Sequence, residues 1–419
     1  MQQTLRKPLT AIALLAISLG LCAQTFSPKL YQAMRWRQIG PFRAGRVTAV
    51  AGIAGNAAIY YMGTPGGGLW KTIDGGTIWT PIFDQIRTTS SIGAVSVAPS
   101  NPNIIYVGTG DVSMVGGSVN FGDGVYRSTD AGKTWQHIGL EETEHIGNLF
   151  IDPHDPNTVV IAALGRTYSK NAQRGIFKTT DGGRTWKHTL AKDDITGAVD
   201  LAFAPGNPKI GYAAVMEHYT RPGARAAIES TGTAGVYKTT DGGDTWTQLT
   251  EGLPGGRLGR IGVATDGTGQ TVFAIIAGGG FGGGGGSVNA GGLYKSTDGG
   301  AHWSRSTPDT RITGSGYFSR VFLDPRNPEV VYVAQTSLYR SDDGGKTFSS
   351  YKGAPGGDDN HARLNRARGA ARLVHFSAGR KLSRLSSVCG AGDQRAGPLP
   401  GRAGAGPSQE GSGCRLGAG

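Results

Sequence analysis

Apolar and polar residues alternate over short segments of this chain, and glycine-rich turns separate the segments, a pattern that predicts β-strands. Segments such as GLWKT, GVYRS and GIFKT each run into an Asp-Gly-Gly turn or a close variant of it. A second short stretch that carries Trp or Phe follows each turn. Because glycine permits the positive φ angles of a tight turn, each pair of segments is predicted to form a β-hairpin.

The hairpin motif reads Ser/Thr-x-Asp-x-Gly-x-x-Trp/Phe and occurs six times in the chain. Each carboxylate can accept hydrogen bonds from the backbone of its own turn, which predicts a structural role. Two further strands joined by a Pro/Asn turn precede most motifs, as in IGNLFIDPHDPNTVVIAALG. Four antiparallel strands in a repeat of this length predict the blade of a β-propeller. The central aspartates recur every 45 to 60 residues and are Asp74, Asp130, Asp181, Asp241, Asp298 and Asp343.

The predicted fold class is therefore all-β, a β-propeller of four-stranded antiparallel blades. Six blades are present and a seventh is begun, and we expect seven in the intact protein. An unclosed ring would leave an interblade cleft uncovered, so we expect low stability or poor solubility for this polypeptide alone. The expected blades lie near Val47–Ile82, Ile92–Leu140, Ile146–Leu190, Val199–Leu249, Arg260–Ser306 and Phe318–Tyr351.

The two ends of the chain differ in composition from the propeller, which we place at residues 24–361. Residues 1–23 predict a secretory signal peptide, because the charged Arg6 and Lys7 precede the apolar run Leu9–Leu21. We therefore expect a secreted or periplasmic protein with no transmembrane segment after the signal. Residues 362–419 form a low-complexity basic tail, which we expect to be disordered and read out of frame.

The basic charge of the chain belongs mostly to its ends. The formal net charge is +12, but the tail alone holds ten Lys/Arg and two Asp/Glu residues. Arg6 and Lys7 add two more positive charges, so the propeller is left close to neutral. A nucleic-acid partner, which a basic patch would indicate, is therefore not expected.

The repeated hairpin resembles the BNR or Asp-box repeat found in sialidases, xyloglucanases and sortilin-type receptors. With the segments WRQIGPFRAGRVTAVAG, GGGLWKTIDGG and RGIFKTTDGGRTW, the chain most resembles secreted bacterial sortilin-like propeller proteins, which are often called glycosyl hydrolases. The resemblance covers roughly Trp36 to His361. It implies a propeller that binds its ligand on one face, as sortilin-type propellers do.

The long and varied loops predict where a ligand would bind. In each blade the loops from second to third strand, and from one blade to the next, share one face, and binding residues concentrate in such loops. The candidates for catalysis there are Asp111, Glu144 and Glu217, and the candidates for ligand binding are Arg43, His145, Tyr168, His218 and Tyr219. Asp358, Asp359 and His361 are candidate metal ligands, although no cofactor is predicted.

Three functions remain open at this point. The first is recognition of a polypeptide or carbohydrate ligand on the loop-rich face, and the alternative is a glycoside hydrolase that uses two carboxylates. The third is a purely structural or assembly role at the cell envelope. The resemblance counts against the enzyme, because Pro65 stands where xyloglucanases carry a catalytic aspartate in the first blade. The segment Phe42–Arg46 likewise matches the Arg-Ile-Pro element of sialidases only superficially. The sequence leaves the oligomeric state open.

Overall fold

The computed structural model describes residues 46–112, 120–218, 230–256, 258–277, 291–313, 319–335 and 337–350, and the backbone of 358–364 and 374–378. Within these ranges the strands form six four-stranded antiparallel sheets and one two-stranded sheet. Two single-turn 3₁₀ helices, Glu141–Thr143 and Thr310–Ile312, lie between blades. The predicted fold class, an all-β propeller of four-stranded blades, is confirmed.

Each blade uses its strands in sequence order from the innermost to the outermost strand. Blade 1 contains β1 (Ala49–Ile53), β2 (Asn56–Gly63), β3 (Leu69–Thr72) and β4 (Thr80–Pro81). Blade 2 contains β5 (Ile92–Val97), β6 (Ile105–Thr109), β7 (Val125–Ser128) and β8 (Gln136–His137). Blade 3 contains β9 (Ile146–Ile151), β10 (Val159–Ala163), β11 (Gly175–Thr179) and β12 (Lys187–Leu190).

The second half of the ring repeats this order. Blade 4 contains β13 (Thr196–Ala204), β14 (Asn207–Glu217), β15 (Gly235–Thr239) and β16 (Thr247–Leu249). Blade 5 contains β17 (Ile261–Thr265), β18 (Val272–Ile276), β19 (Gly292–Ser296) and β20 (Ser304–Arg305). Blade 6 contains β21 (Arg320–Leu323), β22 (Val331–Ala334), β23 (Leu338–Ser341) and β24 (Ser349–Ser350).

The innermost strands of the six blades follow one another in a ring, and each contacts the innermost strand of the next blade. The seventh position holds β25 (Asp358–Leu364), which pairs with β26 (Val374–Ala378). β25 contacts both β21 of blade 6 and β1 of blade 1, so its backbone lies between the two ends of the ring. β26 lies in the region that the sequence predicts to be disordered.

The hydrophobic core lies between neighbouring blades. Between blades 2 and 3, for example, the buried side chains of Tyr106, Ile146 and Ile161 belong to one cluster. A cluster of the same kind joins blades 1 and 2 and includes Phe83, whose ring lies edge-on to Trp135 with centroids 5.3 Å apart. Burial of such apolar surface is the main force that holds the blades together.

The Asp-box turns share one geometry, which Asp130 illustrates. Its Oδ1 accepts hydrogen bonds from the backbone N–H groups of Lys133 (3.0 Å) and Thr134 (2.9 Å). Ser128 Oγ donates to the same oxygen at 2.8 Å and accepts the N–H of Gly132 at 2.8 Å. Hydrogen bonds from the Thr134 hydroxyl and N–H, together with that of Ser128, lower the pKa of Asp130 to about 2. The carboxylate is thus bound within its own turn.

A basic side chain on the third strand joins each of blades 1 to 5 to the next blade. Lys71 Nζ donates to Ala131 O at 3.0 Å, and Lys238 Nζ donates to Gly299 O at 2.6 Å. The same lysines lie over Tyr61 and Tyr212 of their own blades, 5.4 and 5.9 Å from the ring centroids. The equivalent groups in the remaining blades are Arg127 on Asn157, Lys178 on Asp244 and Lys295 on Gly344.

Candidate ligand-binding face

The loop-rich face is the end of the ring where each inner strand begins and each second strand ends. Asp111 follows β6, Glu144 and His145 directly precede β9, and Glu217 is the last residue of β14. The topology therefore brings the three candidate carboxylates to one face. Arg46 lies beside Asp111, Arg166 lies beside Glu144, and the hydroxyls of Ser230 and Thr231 lie beside Glu217.

Asp111 is fully buried at the mouth of the central channel. Its Oδ2 lies 3.4 Å from Arg46 Nη2, which belongs to the start of blade 1. From blade 5, the Arg260 guanidinium donates to the carbonyl of the neighbouring Val112. Burial, reinforced by the like charge of Arg320, lowers the pKa of Arg260 to about 10. Asp111 is thus held in a buried position beside a guanidinium group.

Two arginines cross the channel between blades that are not neighbours. Arg260 of blade 5 donates to Val112 O in the loop between β6 and β7 of blade 2, and Arg320 of blade 6 donates to Gly147 O of blade 3 at 3.0 Å. Such bonds can form only across the centre of the ring.

Glu144 forms part of a carboxylate–guanidinium group on the surface. Arg166 Nε lies 3.1 Å from Glu144 Oε1, and its Nη2 contacts Glu142 Oε2. Burial raises the pKa of Glu144, while the charge of Arg166 opposes that shift. The residue also has a positive φ of 48°, which is unfavourable for a side chain other than glycine. The turn is fixed in part by Glu144 O, which accepts the N–H of Gly122 at 2.7 Å.

His145 is fully buried and is held as a neutral ring. Its Nδ1 lies 3.1 Å from Gly165 O, so this nitrogen carries the proton and donates it to the carbonyl. Burial lowers the pKa of His145 to about 4. Nε2 has no hydrogen-bond partner among the described residues. The His145 ring lies edge-on to Phe121, with centroids 5.5 Å apart.

Two exposed aromatic rings lie next to each other, and one of them, Phe121, contacts His145. Phe121 is 51% exposed and Tyr168 is 40% exposed, in a protein whose other described aromatic rings are mostly buried. The two rings are edge-to-face, with centroids 6.1 Å apart. Tyr168 was a candidate from the sequence, and Phe121 was not named. A signal did exist for Phe121, because it is the one Phe, Tyr or Trp in the long loop from Thr109 to Gly124.

Arg174 fixes the loop that carries Tyr168. It is the largest fully buried side chain among those the structure describes. Its Nη1 donates to Leu164 O and His218 O, both at 2.9 Å, and its Nη2 donates to Ser169 O at 2.9 Å. Further bonds reach Arg166 O and, at 3.3 Å, Ile195 O. One guanidinium thereby connects loops of blades 3 and 4, and sequence reasoning did not identify it.

Glu217 and His218 lie on the blade 4 side of the same face, and both are buried. Glu217 Oε1 accepts hydrogen bonds from Ser230 Oγ at 3.1 Å and from the hydroxyl of Thr231 at 3.0 Å. The backbone N–H of His218 donates to Ile195 O at 2.8 Å.

The remaining candidate residues from the sequence have no described side chains. Arg43 and Tyr219 lie outside the described residues. Asp358, Asp359 and His361 belong to β25, of which only the backbone is described. Across the described part of the chain, no three His, Cys, Asp or Glu side chains group closely enough to hold a metal ion. Nor does any helix in that part have the length and hydrophobicity that a bilayer crossing requires.

Comparison with known families and sequences gives three matches of use. The Sortilin-Vps10 family model, described as "Sortilin, neurotensin receptor 3", matches residues 123–259. A xyloglucanase of Paenibacillus sp. is 25% identical over 379 residues, which is 81% of this chain and 34% of the relative. A xyloglucanase of Acetivibrio thermocellus is 26% identical over 326 residues, or 68% of this chain and 35% of the relative. The chain thus spans about a third of the length of these relatives.

Solved structures share the fold at lower sequence identity. A xyloglucanase of family GH74 from Xanthomonas campestris has a TM-score of 0.58 and 18% identity, over 82% of this chain and 52% of that one. YCF48 bound to D1 peptide has a TM-score of 0.52 and 16% identity, over 80% of this chain and 92% of that one. The resemblance to sortilin-like and xyloglucanase propellers that the motifs indicated is confirmed.

Proposed function

We propose that this propeller is an exported recognition module that binds a glycan or a polypeptide on its loop-rich face, with Phe121 and Tyr168 in contact with the ligand. The exposed pair of rings is the observation that carries the proposal. Large aromatic side chains are normally buried, and an exposed pair that packs edge-to-face across two loops offers apolar contact area to a ligand.

The surroundings of the pair suit a carbohydrate. The apolar C–H face of a pyranose ring can lie against an aromatic ring, and the sugar hydroxyls then need polar partners at the edge of the contact. Glu142, Glu144 and Arg166 supply carboxylate and guanidinium groups near the Tyr168 loop. The xyloglucanase relatives support a glycan ligand, whereas the sortilin description and the peptide-bound YCF48 structure support a polypeptide.

The burial and the polar contacts of two candidate carboxylates favour binding over catalysis. A glycosidase needs two carboxylates about 5–9.5 Å apart on either side of the scissile bond. Asp111 is buried against Arg46, and Glu217 is buried beneath the hydroxyls of Ser230 and Thr231. Neither could reach a sugar without breaking these contacts.

The experiment is calorimetric binding of the full chain to soluble xyloglucan, xylan and cello-oligosaccharides, with a random peptide library in parallel. We expect Tyr168→Ala to weaken binding about thirtyfold, the equivalent of roughly 2 kcal/mol for an aromatic anchor. Tyr168→Phe should bind almost normally because it keeps the ring. Ile78→Ala, a matched truncation of an exposed apolar residue on the opposite face, should have no effect. Unchanged affinity in Tyr168→Ala would refute the assignment of this site.

A glycoside hydrolase remains the second candidate, and the raised pKa of Glu144 is the observation that favours it. A raised pKa helps a carboxylic acid to retain the proton that a general acid donates. The test is release of reducing ends from xyloglucan by the full chain. Turnover that Glu144→Gln abolishes would establish the enzyme, whereas binding without turnover would leave recognition as the function.

A further inference from the structure

A cluster of oxygen atoms lies in blade 4 and in the loop that precedes it. We call it the blade 4 oxygen cluster, and it consists of Asp193, Thr196, Glu217, Thr231 and Thr233. Asp193 Oδ2 lies 2.9 Å from the hydroxyls of both Thr196 and Thr231 and 3.3 Å from that of Thr233. Thr231 Oγ1 lies 3.0 Å from Glu217 Oε1, so a single hydroxyl bridges the two carboxylates.

The three hydroxyls cannot supply a proton to every close pair of oxygens in this cluster. Besides its carboxylate neighbours, Thr233 Oγ1 lies 2.7 Å from Thr196 Oγ1 and 2.7 Å from Thr231 Oγ1. Each threonine hydroxyl carries one proton, so several of these short contacts join lone pairs to lone pairs. Oxygens crowded in this way repel one another unless a positive charge lies among them.

Glu217 gives independent evidence that a partner is required. The residue is 94% buried, and its Oε2 has no hydrogen-bond partner among the described residues. A buried carboxylate oxygen without a partner is costly, whereas a cation would satisfy it.

No basic side chain in the described part of the chain forms an ion pair with Asp193 or Glu217. Arg174 points its N–H groups at backbone carbonyls, Lys170 pairs with Asp194, and Lys192 lies over the ring of Tyr237. Asp111, the other buried carboxylate of this face, contrasts with the cluster because it has Arg46 beside it. Within the described residues, the blade 4 oxygen cluster therefore has no basic side chain in ion-pair contact with its carboxylates.

We propose that the blade 4 oxygen cluster binds a hard divalent cation of the Ca²⁺ class, with Asp193 and Glu217 as its charged ligands. An all-oxygen donor set of carboxylates and hydroxyls suits Ca²⁺ and excludes the softer metals that prefer nitrogen or sulfur. The cation connects the end of β14 to the loop before β15 and to the loop before β13. This inference is independent of the ligand that the aromatic pair binds.

Tyr237 provides a direct readout for the site. Its hydroxyl donates to Thr233 O at 2.8 Å, so the ring lies next to the cluster and can sensitise the luminescence of bound Tb³⁺, a Ca²⁺ substitute. We expect the full chain, after EDTA treatment, to show tyrosine-sensitised Tb³⁺ emission that Ca²⁺ reverses. Ca²⁺ should also raise the unfolding temperature relative to EDTA, because the ion binds only the folded state.

Variants separate this site from adventitious binding. Glu217→Gln should weaken Tb³⁺ binding about tenfold or more, because affinity follows the charge of the ligands. Thr231→Val, which keeps both carboxylates, should weaken it too and serves if Glu217→Gln does not fold. Tyr237→Phe should lose emission but keep the stabilisation by Ca²⁺, and Asp194→Asn, one residue from the site, should match the wild type. The proposal is overturned if Ca²⁺ does not stabilise the wild type, or if Glu217→Gln and Thr231→Val both bind Tb³⁺ normally.

Discussion

The two faces of the ring use carboxylates in opposite ways. On the Asp-box face, Asp74 and its five equivalents each accept hydrogen bonds from residues up to four positions along the chain. On the loop-rich face, Asp111 pairs with Arg46 of another blade, and Asp193 and Glu217 share a threonine between separate loops. One face is thus stabilised by local contacts that repeat, and the other by long-range contacts that occur once.

This difference explains how each face can vary. A local turn is complete within one repeat, so it can be copied around the ring without regard to its neighbours. A contact between blades depends on two positions that are distant in sequence, so it can differ at every interface. Ligand specificity is therefore expected on the loop-rich face, and the Asp-box face is expected to govern folding.

Replacing the buried Arg174 should produce the largest change in stability. Arg174→Met leaves several backbone carbonyls of blades 3 and 4 without their donor, and each such buried group costs about 1–3 kcal/mol unless water replaces it. We expect the free energy of unfolding to fall by about 3 kcal/mol, measured by urea denaturation at pH 7.

The matched control is Arg184→Met, because Arg184 is exposed in an Asp-box turn. It should change stability by less than about 0.5 kcal/mol. If the two variants were equally stable, the loop-rich face would not depend on long-range contacts in the way described. If Arg174→Met still folds, it should also bind the ligand more weakly through Tyr168, because Arg174 donates hydrogen bonds to the carbonyls of Ser169 and Arg166 in the same loop.

Acid should act mainly on the Asp-box face. The folded pKa of Asp130 is about 2, below the value of about 3.9 for an unfolded chain. A lowered pKa contributes stability above pH 4, and that contribution is lost as the pH falls from about 4 to 2. We expect Asp130→Asn to be less stable than the wild type at pH 7. Its urea midpoint should also fall less steeply than that of the wild type between about pH 4 and 2. If the urea midpoints of the wild type and Asp130→Asn fell equally over this pH range, the ionisation of Asp130 would not be a source of the acid sensitivity.

The two faces also differ in how far the sequence predicts them. The strand alternation and the Asp-box motifs predict the blades, because a hairpin depends on residues that are close in sequence. Arg174 could not be found in this way, since its acceptors Leu164, Ile195 and His218 are set by the packing of two blades. Phe121 was missed for a related reason. A lone aromatic in a loop acquires meaning only when the fold places Tyr168 and His145 beside it.

Blade 1 contains an Asp box that departs from the others, and correcting it should increase stability. In the second, third, fourth and sixth boxes a threonine hydroxyl donates to the aspartate Oδ2, as Thr185 does to Asp181 at 2.7 Å. Blade 1 has Ile78 at this position, and its side chain is 68% exposed. We expect Ile78→Thr to raise the free energy of unfolding by about 0.5–1 kcal/mol, and Thr185→Ile to lower it similarly. Both values come from urea denaturation, and a loss of stability in Ile78→Thr would contradict the comparison.

The fifth box should respond to pH in the opposite direction from Asp130, with the smallest effect. Here His302 replaces the threonine, and its Nδ1 lies 2.7 Å from Asp298 Oδ2. The hydrogen bond to Asp298, aided by its charge, raises the pKa of His302 above 6.5. A raised pKa contributes stability that is fully present below pH 6.5 and is lost as the pH rises through the folded value. His302→Thr keeps a donor to Asp298 that does not titrate, so the decline in urea midpoint above pH 6.5 should become shallower. If wild type and variant declined equally, the pair would contribute nothing that depends on its charge.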